Sequence, residues 1–313
     1  MKNAPTSVAK QLKPKQFIPD RLKVFLFMVP LIVYVFTFAY KPLWGLSYAF
    51  VSYKPGRDVM DCAFRGLKNF TELFGNPILR RNIFNALQNT LVVQAFGYIL
   101  YPLPMLFAIF LSEVRSKKFQ KITQTLTSLP HFVSWVIMFS LAMAIFGNKG
   151  LVNTLLANAG KDPINVLYTD KNIRLTMVLI SQWKGLGWSS IVYFAAISGI
   201  DQQMYEAAMV DGANRMQKIW YITIPSLMPT FIVLLVLSLG AFLSTGMELF
   251  MVFGNAMNLN KLEVLDLYLY NLGLGGGKIS FGVAAGILTS IVSLVLFTVA
   301  NNASKLVRGT TVF

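Results

Sequence analysis

The stretch EAAMVDGANRMQKIWYITIP, Glu206 to Pro225, decides how this chain is read. It is polar and helix-prone, yet it lies between two long apolar runs, about Ile173 to Ile197 and Leu227 to Phe253. Asp201 stands ahead of it as a cap, its carboxylate placed to accept hydrogen bonds from the first free amides of a helix beginning near Gln202. Tyr205, Met209 and Ala213 recur at four-residue steps along one face, with Glu206 and Val210 beside them. Ala207 and Ala208 are small enough for close approach to another surface, and Gly212 ends the helix or bends it. A second helical segment follows from Asn214, and Pro225 and Pro229 are expected to break it. The pattern predicts two short helices joined by a bend, a knuckle for a partner's groove.

Outward from this knuckle the sequence belongs to a bilayer. With 55% hydrophobic and 13% charged residues and a mean hydropathy of +0.57, it holds more apolar side chains than one soluble core needs. A helix needs ~20 mostly apolar residues to cross the hydrocarbon. Six runs meet that length: about Val24 to Tyr48, Leu87 to Leu111, Leu126 to Phe146, Ile173 to Ile197, Leu227 to Phe253 and Ile279 to Val299. The first is too long and too aromatic for a signal peptide, and no small-residue cleavage site follows it, so it reads as a retained span. The expectation is an all-α integral membrane protein with six transmembrane helices. It divides into a basic segment 1–23, one membrane domain 24–304 carrying the connector 201–225, and a tail 305–313.

The net charge of +15 does not point to nucleic acid, because basic residues punctuate the loops and form no continuous stripe. Lys2, Lys10, Lys13, Lys15, Arg21 and Lys23 precede the first span, and Arg115, Lys117, Lys118 and Lys121 crowd the second connection. Positive-inside reasoning puts both in the cytoplasm, and with six spans both termini lie there. Lys54, Arg57, Arg65, Lys68, Arg80 and Arg81 in the outer segments make the bias modest. The basic N-terminal segment suits anionic lipid headgroups. One cysteine, Cys62, allows no intrachain disulfide and no multi-cysteine metal site. The one histidine, His131, has no second histidine or cysteine cluster with which to share a metal, and is read as a helix-start or interhelical hydrogen-bonding residue.

The connector also has a specific pattern: Glu206-Ala207-Ala208, Gly212, then Ile222 and Pro225 at the spacing EAA, three residues, G, nine residues, I-x-L-P, with Ile224 in place of the usual Leu. That change conserves volume. LPHFVSW at Leu129 to Trp135, QWKGLGWSSIVYFAAISGID at Gln182 to Asp201, the Asn89-Thr90 pair and Asn301 extend the likeness. From Val29 to Asn301 the chain resembles the MalF-like polysaccharide subfamily of type I ABC importer permeases. The resemblance implies the six-helix MetI-like permease fold in a bacterial cytoplasmic membrane, with the EAA loop facing the cytoplasm. Tyr205, Glu206, Ala207, Ala208, Met209, Asp211, Gly212 and Pro225 would then couple to an ATPase. It also implies a second, homologous permease, two cytoplasmic ATPases, an extracytoplasmic solute-binding protein and a complex carbohydrate as cargo. ATP and magnesium would sit on the ATPases, leaving this chain without a cofactor.

The chain's only phosphate-loop imitation, GLGGGKIS at Gly273 to Ser280, fails by spacing, because a P-loop ending at Gly277-Lys278 needs Gly at 272 and Ser or Thr at 279. Leu272 and Ile279 occupy those places, and the run reads as a flexible turn into the sixth span. No catalytic or metal set is evident. A sugar pathway needs polar and aromatic groups inside the membrane, and the candidates are Trp135 in the third run, Gln182, Lys184 and Trp188 in the fourth, and Glu248 in the outer half of the fifth. Small residues at Gly282, Gly286 and Ser290, and at Gly240 and Ser244, predict close helix packing. The outer segment from Val51 to Asn85 is a candidate contact for the binding protein. An ion-coupled secondary transporter would normally show repeated halves and midplane carboxylates, and a membrane-embedded enzyme would show a nucleophile-base or metal set. Neither pattern is visible.

Overall fold

The computed structural model describes residues 19–308. The segments that contain Lys2, Lys10, Lys13 and Lys15, and the last five residues, lie outside the described residues. Contacts divide the chain into two units, Met1–Ser47 and Tyr48–Phe313.

The first unit is α1 (Asp20–Val35), followed by one π turn (Phe36–Tyr40) and the beginning of a 3-10 stretch at Lys41. Pro42 has no N–H to give the carbonyl four residues back, and the ladder changes register just before it. Large apolar side chains along the helix stay exposed, among them Phe27, Leu31 and Phe38. Such a surface is stable only against lipid or another protein.

The second unit is helical throughout, and among the described residues its one strand-like pairing is the bridge between Val51 and Phe64. In chain order it contains α2 (Lys68–Gly75), α3 (Pro77–Ile99), α4 (Leu103–Ser112), α5 (Lys117–Ser128), α6 (Trp135–Phe146), α7 (Leu151–Asn158) and α8 (Ile173–Ser198). After these come α9 (Gln202–Val210), α10 (Arg215–Lys218), α11 (Ile224–Gly240), α12 (Met247–Phe253), α13 (Leu259–Leu262), α14 (Leu265–Tyr270) and α15 (Ile279–Arg308). Helix α8 is the centre of the packing and touches α3, α4, α5 and α11, while α11 lies along α15. At its crossing with α5 the approach is so close that a Cβ on Gly187 would fall 2.3 Å from the carbonyl carbon of Thr127.

Five described helices are long and apolar enough to cross a membrane: Arg21–Phe50, Pro77–Ser112, Trp135–Asn158, Arg215–Gly240 and Ile279–Lys305. The expected fourth run forms the 26-residue α8, ~39 Å at 1.5 Å per residue and so longer than the ~30 Å hydrocarbon core. Ser181, Gln182, Lys184 and two glycines dilute its hydropathy.

Two of the expected runs differ in structure. The third is interrupted, α5 passing into a 3-10 turn (Leu129–Phe132) and extended residues before Ser134 caps α6 through the amide of Ile137. Trp135 is accordingly the first residue of a helix and does not lie inside one. The fifth stops at Gly240 and unwinds over 241–246. Pro225 and Pro229 do not break it: a π turn (Ile219–Thr223) precedes Pro225 as the first precedes Pro42, and the helix runs on from Arg215 to Gly240. Widening the helix by one residue gives the carbonyls ahead of the proline ring a register they can tolerate.

Short helices after residue 246 are held against the bundle by buried polar side chains. Asn89 is fully buried and donates to the carbonyls of Asn260 and Glu263 at 2.9 and 3.0 Å, while its own oxygen accepts from the Arg174 guanidinium. Next to it, the Thr90 hydroxyl accepts from the amide of Leu265. On the other flank Asn69 donates to the carbonyls of Ala49 and Val51, and Ser280 donates to Val51 and accepts from Tyr53. The run Gly273 to Ser280 is thus a turn pinned at its end. Burial raises the Glu263 carboxyl above the usual carboxylate range, partly offset by a hydrogen bond from Asn271.

Candidate functional site

The knuckle forms as two capped helices. Asp201 accepts from the amide of Gln203 at 3.0 Å and opens α9. At the other end Gly212 adopts φ +77°, and the next amide, of Ala213, returns to the carbonyl of Ala208 at 2.8 Å. Only glycine takes that conformation without strain. Asn214 and Gln217 then form a reciprocal capping box that starts α10. The hydroxyls of Tyr205 and Thr223 lie 2.9 Å apart and tie α9 to the π turn at the root of α11. Glu206, Ala207, Met209, Asp211 and Gly212 are exposed and Ala208 is half-buried. Val210 is 88% exposed, and Met209, Met216 and Trp220 are exposed on the same knuckle, apolar side chains of the kind that mark a protein contact when they gather. Pro225 is in the first turn of α11, away from the bend.

A second constellation is built around the unwound residues 241–246. Gln94 on α3 donates to the carbonyls of Phe242 and Ser244 at 2.6 and 3.3 Å, and Tyr98 stacks on Phe242. From α14 the carboxylate of Asp266 accepts from the amide and the hydroxyl of Thr245 at 3.0 and 2.8 Å. Irregular backbone in a membrane protein persists where protein groups or a wet cavity satisfy it; here protein groups satisfy it and cavities flank it. On one side is a cavity of about 290 Å³ lined by Gln94, Tyr98, Tyr101, Gln182, Ser238 and Ser244 among others. On the other is one of about 570 Å³ that reaches Asp266, Ser290 and Phe297. A third, of about 340 Å³, shares Tyr101 and Gln182 with the first and extends to Trp188 and Tyr193. Ala241 and Ser244 join the first pair, Tyr101 and Gln182 the second.

Of the five expected pathway residues the structure brings Gln182 and Trp188 to these cavities. Lys184 points to the interrupted third segment, where its ammonium donates to the His131 carbonyl at 2.7 Å and lies 5.0 Å from the centre of the Trp135 ring. His131 stacks parallel on Trp188 at 4.6 Å. Glu248 is not inside the helix formed by the fifth expected run: it is exposed in the first turn of α12, beyond the unwound residues. Gln94, Tyr98, Tyr101 and Asp266 were not foreseen. The first three are polar or aromatic residues in or beside an apolar run, and the cluster Ser244-Thr245-Gly246 is a breaker signal that hydropathy averaging passes over.

Asp266→Ala strands the Thr245 amide and frees the unwound segment. Hydrogen bonds to charged groups are worth ~1.5–3 kcal/mol, so thermal stability falls. In a Cys62→Ser background, Ser244→Cys becomes faster to label with a thiol reagent when Asp266→Ala is added. Equal labelling rates would show that Asp266 does not hold the segment.

Residues 100–309 match the family described as binding-protein-dependent transport system inner membrane component. The chain belongs to that family. It is a multi-pass membrane permease component, a transport subunit and not an enzyme. Its relatives include, in Bacillus subtilis (strain 168), the polygalacturonan/rhamnogalacturonan transport system permease protein YteP, 38% identical over 90% of this chain and 87% of that protein. Protein LplB of the same organism is 34% identical over 90% and 88%. Among solved structures, a bacterial ABC transporter involved in the import of the acidic polysaccharide alginate matches with a TM-score of 0.80 at 34% identity, covering 91% of the permease and 95% of that chain. The alginate transporter in complex with its alginate pentasaccharide-bound periplasmic protein matches with a TM-score of 0.82 over 93% and 96%. The fold is thus the all-helical MetI-like permease fold.

Proposed function

We propose that this permease is one of two homologous transmembrane subunits of an ATP-driven importer that carries an oligosaccharide or polysaccharide across the cytoplasmic membrane. Its transmembrane domain, 24–304, has six spans, α8 being the fourth despite its polar centre, and both termini are cytoplasmic. Residues 201–225 form the EAA coupling loop, in which Tyr205, Glu206, Ala207, Ala208, Met209, Asp211 and Gly212, with Pro225 at the root of α11, engage an ATPase. ATP and magnesium belong to the ATPases, and a solute-binding protein delivers cargo from outside. The relatives support the cargo class, since YteP is described as a polygalacturonan/rhamnogalacturonan permease and the solved transporter as an importer of alginate.

The observation that carries this proposal is the row of three cavities joined at Gln182 with Tyr101 and at Ser244 with Ala241. Amide and phenol groups on an otherwise apolar wall match a hydroxyl-rich ring with flat C–H faces. The assembled complex with its binding protein in proteoliposomes tests it: ATP-dependent glycan uptake is expected, falling ~10-fold or more in the double variant Tyr101→Ala/Gln182→Ala if two polar contacts of about 1 kcal/mol each are lost. Wild-type uptake by that variant moves the pathway elsewhere. A helix unwound over 241–246 is also a feature of ion-coupled transporters, and uptake by this chain alone under an ion gradient would favour that reading.

A further inference from the structure

We infer that Lys184 is a charge-selecting residue of the translocation pathway, and that the cargo carries carboxylates, as a uronate-containing oligosaccharide does. The inference rests on the importer reading above and names the class of its substrate. The six expected spans contain one carboxylate, Glu248, which the structure places exposed in α12 beyond the unwound residues, while Lys184 stands near the middle of α8. Its ammonium has three N–H groups; one donates to the His131 carbonyl, and the face of Trp135 covers part of the remainder. Lys184 forms no ion pair with any described residue. A carbonyl dipole and an indole face orient the cation without neutralising it. A charge kept in a membrane segment without a counter-ion marks a functional position.

The surroundings fit a sugar acid better than a simple anion. Trp188, one helical turn from Lys184, is backed in parallel by His131 at an interplanar angle of 2° and edged by Phe132 at 5.5 Å. That backing holds the indole rigid, while 45% of Trp188 remains exposed and lines the third cavity beside Gln182. Trp188 and Lys184 share a helical face, so a carboxylate on a pyranose ring resting on the indole would meet the ammonium once it turns from the His131 carbonyl, since Lys184 itself lines none of the three cavities. A neutral ring would gain the stacking and leave the charge unanswered. The relatives described as importing alginate or polygalacturonan, both carboxylated, agree with this direction.

The experiment compares ATP-dependent uptake by the complete complex, with its binding protein, of oligogalacturonate, alginate oligomers, methyl-esterified oligogalacturonate and a neutral pentose oligomer. Wild type is expected to take up a carboxylated probe. Lys184→Met is expected to cut that uptake about tenfold or more, as loss of a desolvated charge partner does, with Lys184→Arg staying near wild type. The inference is overturned if the wild type carries only uncharged glycans, or if Lys184→Met carries the acidic probe at the wild-type rate. It is also overturned if Lys184→Met no longer co-purifies with its partner subunits and Lys184→Arg does, for then the counter-ion belongs to the partner permease. Should neither variant assemble, the wild-type preference between acidic and uncharged probes decides. A wild-type complex that moves no carbohydrate at all fails the importer reading itself.

Discussion

Gly187→Ala is expected to lower the thermal midpoint of the purified permease complex by roughly 4 °C or more, and Gly187→Val to prevent recovery of folded complex. Ala is the better helix former by about 1 kcal/mol, so propensity alone predicts the opposite sign. Contact decides otherwise. A methyl group at position 187 falls 2.3 Å from the carbonyl carbon and 2.4 Å from the carbonyl oxygen of Thr127, and these are backbone atoms that no rotamer change can move. Restoring ordinary separations of ~3.5 Å requires α5 and α8 to part by about 1 Å, which forfeits dispersion along the whole crossing. Overpacking of this kind typically costs 1–3 kcal/mol and occasionally more, and at the most connected helix of the bundle the upper end applies. Gly185→Ala is the internal control, because its added carbon meets nothing nearer than the Ser189 hydroxyl at 4.0 Å. Equal midpoints for Gly187→Ala and Gly185→Ala in fluorescence-detected size exclusion would mean that α8 does not depend on this approach.

That glycine shows where sequence reasoning stops. The segment QWKGLGW identifies α8 as unusual, but which of its two glycines is obligatory depends on Thr127, sixty residues earlier. Local signals were legible: Asp201 and Asn214 cap the helices they precede, and Gly212 makes the bend. The apolar runs locate the helices because burying or lipidating some twenty side chains dominates their energetics. What the runs conceal is backbone irregularity. Averaged hydropathy passes unchanged across residues 241–246 and 133–134, where the chain leaves helical geometry while its side chains stay mostly apolar. Pro225 was a fair signal for a break, yet one π turn absorbed it. Cavity residues were the least legible, since Gln94, Gln182 and Ser244 meet only through the packing of α3, α8 and the end of α11. Lys184 stands out in the sequence by its charge, but its partners, the carbonyl of His131 and the ring of Trp135, depend on the interruption between α5 and α6.

Glu206→Ala and Gly212→Val are expected to leave the permease inserted and folded while abolishing most binding-protein-stimulated uptake, by different routes. Glu206 is exposed and among the described residues has no hydrogen bond or ion pair, so its truncation removes nothing from the bundle. A carboxylate on an exposed, helix-borne face contributes only where a partner supplies the donor, and the expected partner is the ATPase. Gly212 acts on the loop itself. At φ +77° a β-branched residue is strained by ~1–2 kcal/mol or more, although its side chain meets no atom within 4 Å. The cost is therefore backbone conformation alone, and it is relieved by tilting α9 away from α10. That tilt works against the Tyr205–Thr223 contact that joins the loop to α11. Gly212→Asn, which tolerates the left-handed region, is expected to retain more coupling than Gly212→Val, an order that a simple loss of side-chain space does not produce. The measurement is ATP hydrolysis and glycan uptake by the same proteoliposomes: coupled loss of uptake with hydrolysis persisting supports the loop as the mechanical link. Full uptake in both Glu206→Ala and Gly212→Val would show that the ATPases engage another surface of this chain, and the exposed apolar face of α9 would then need a different occupant.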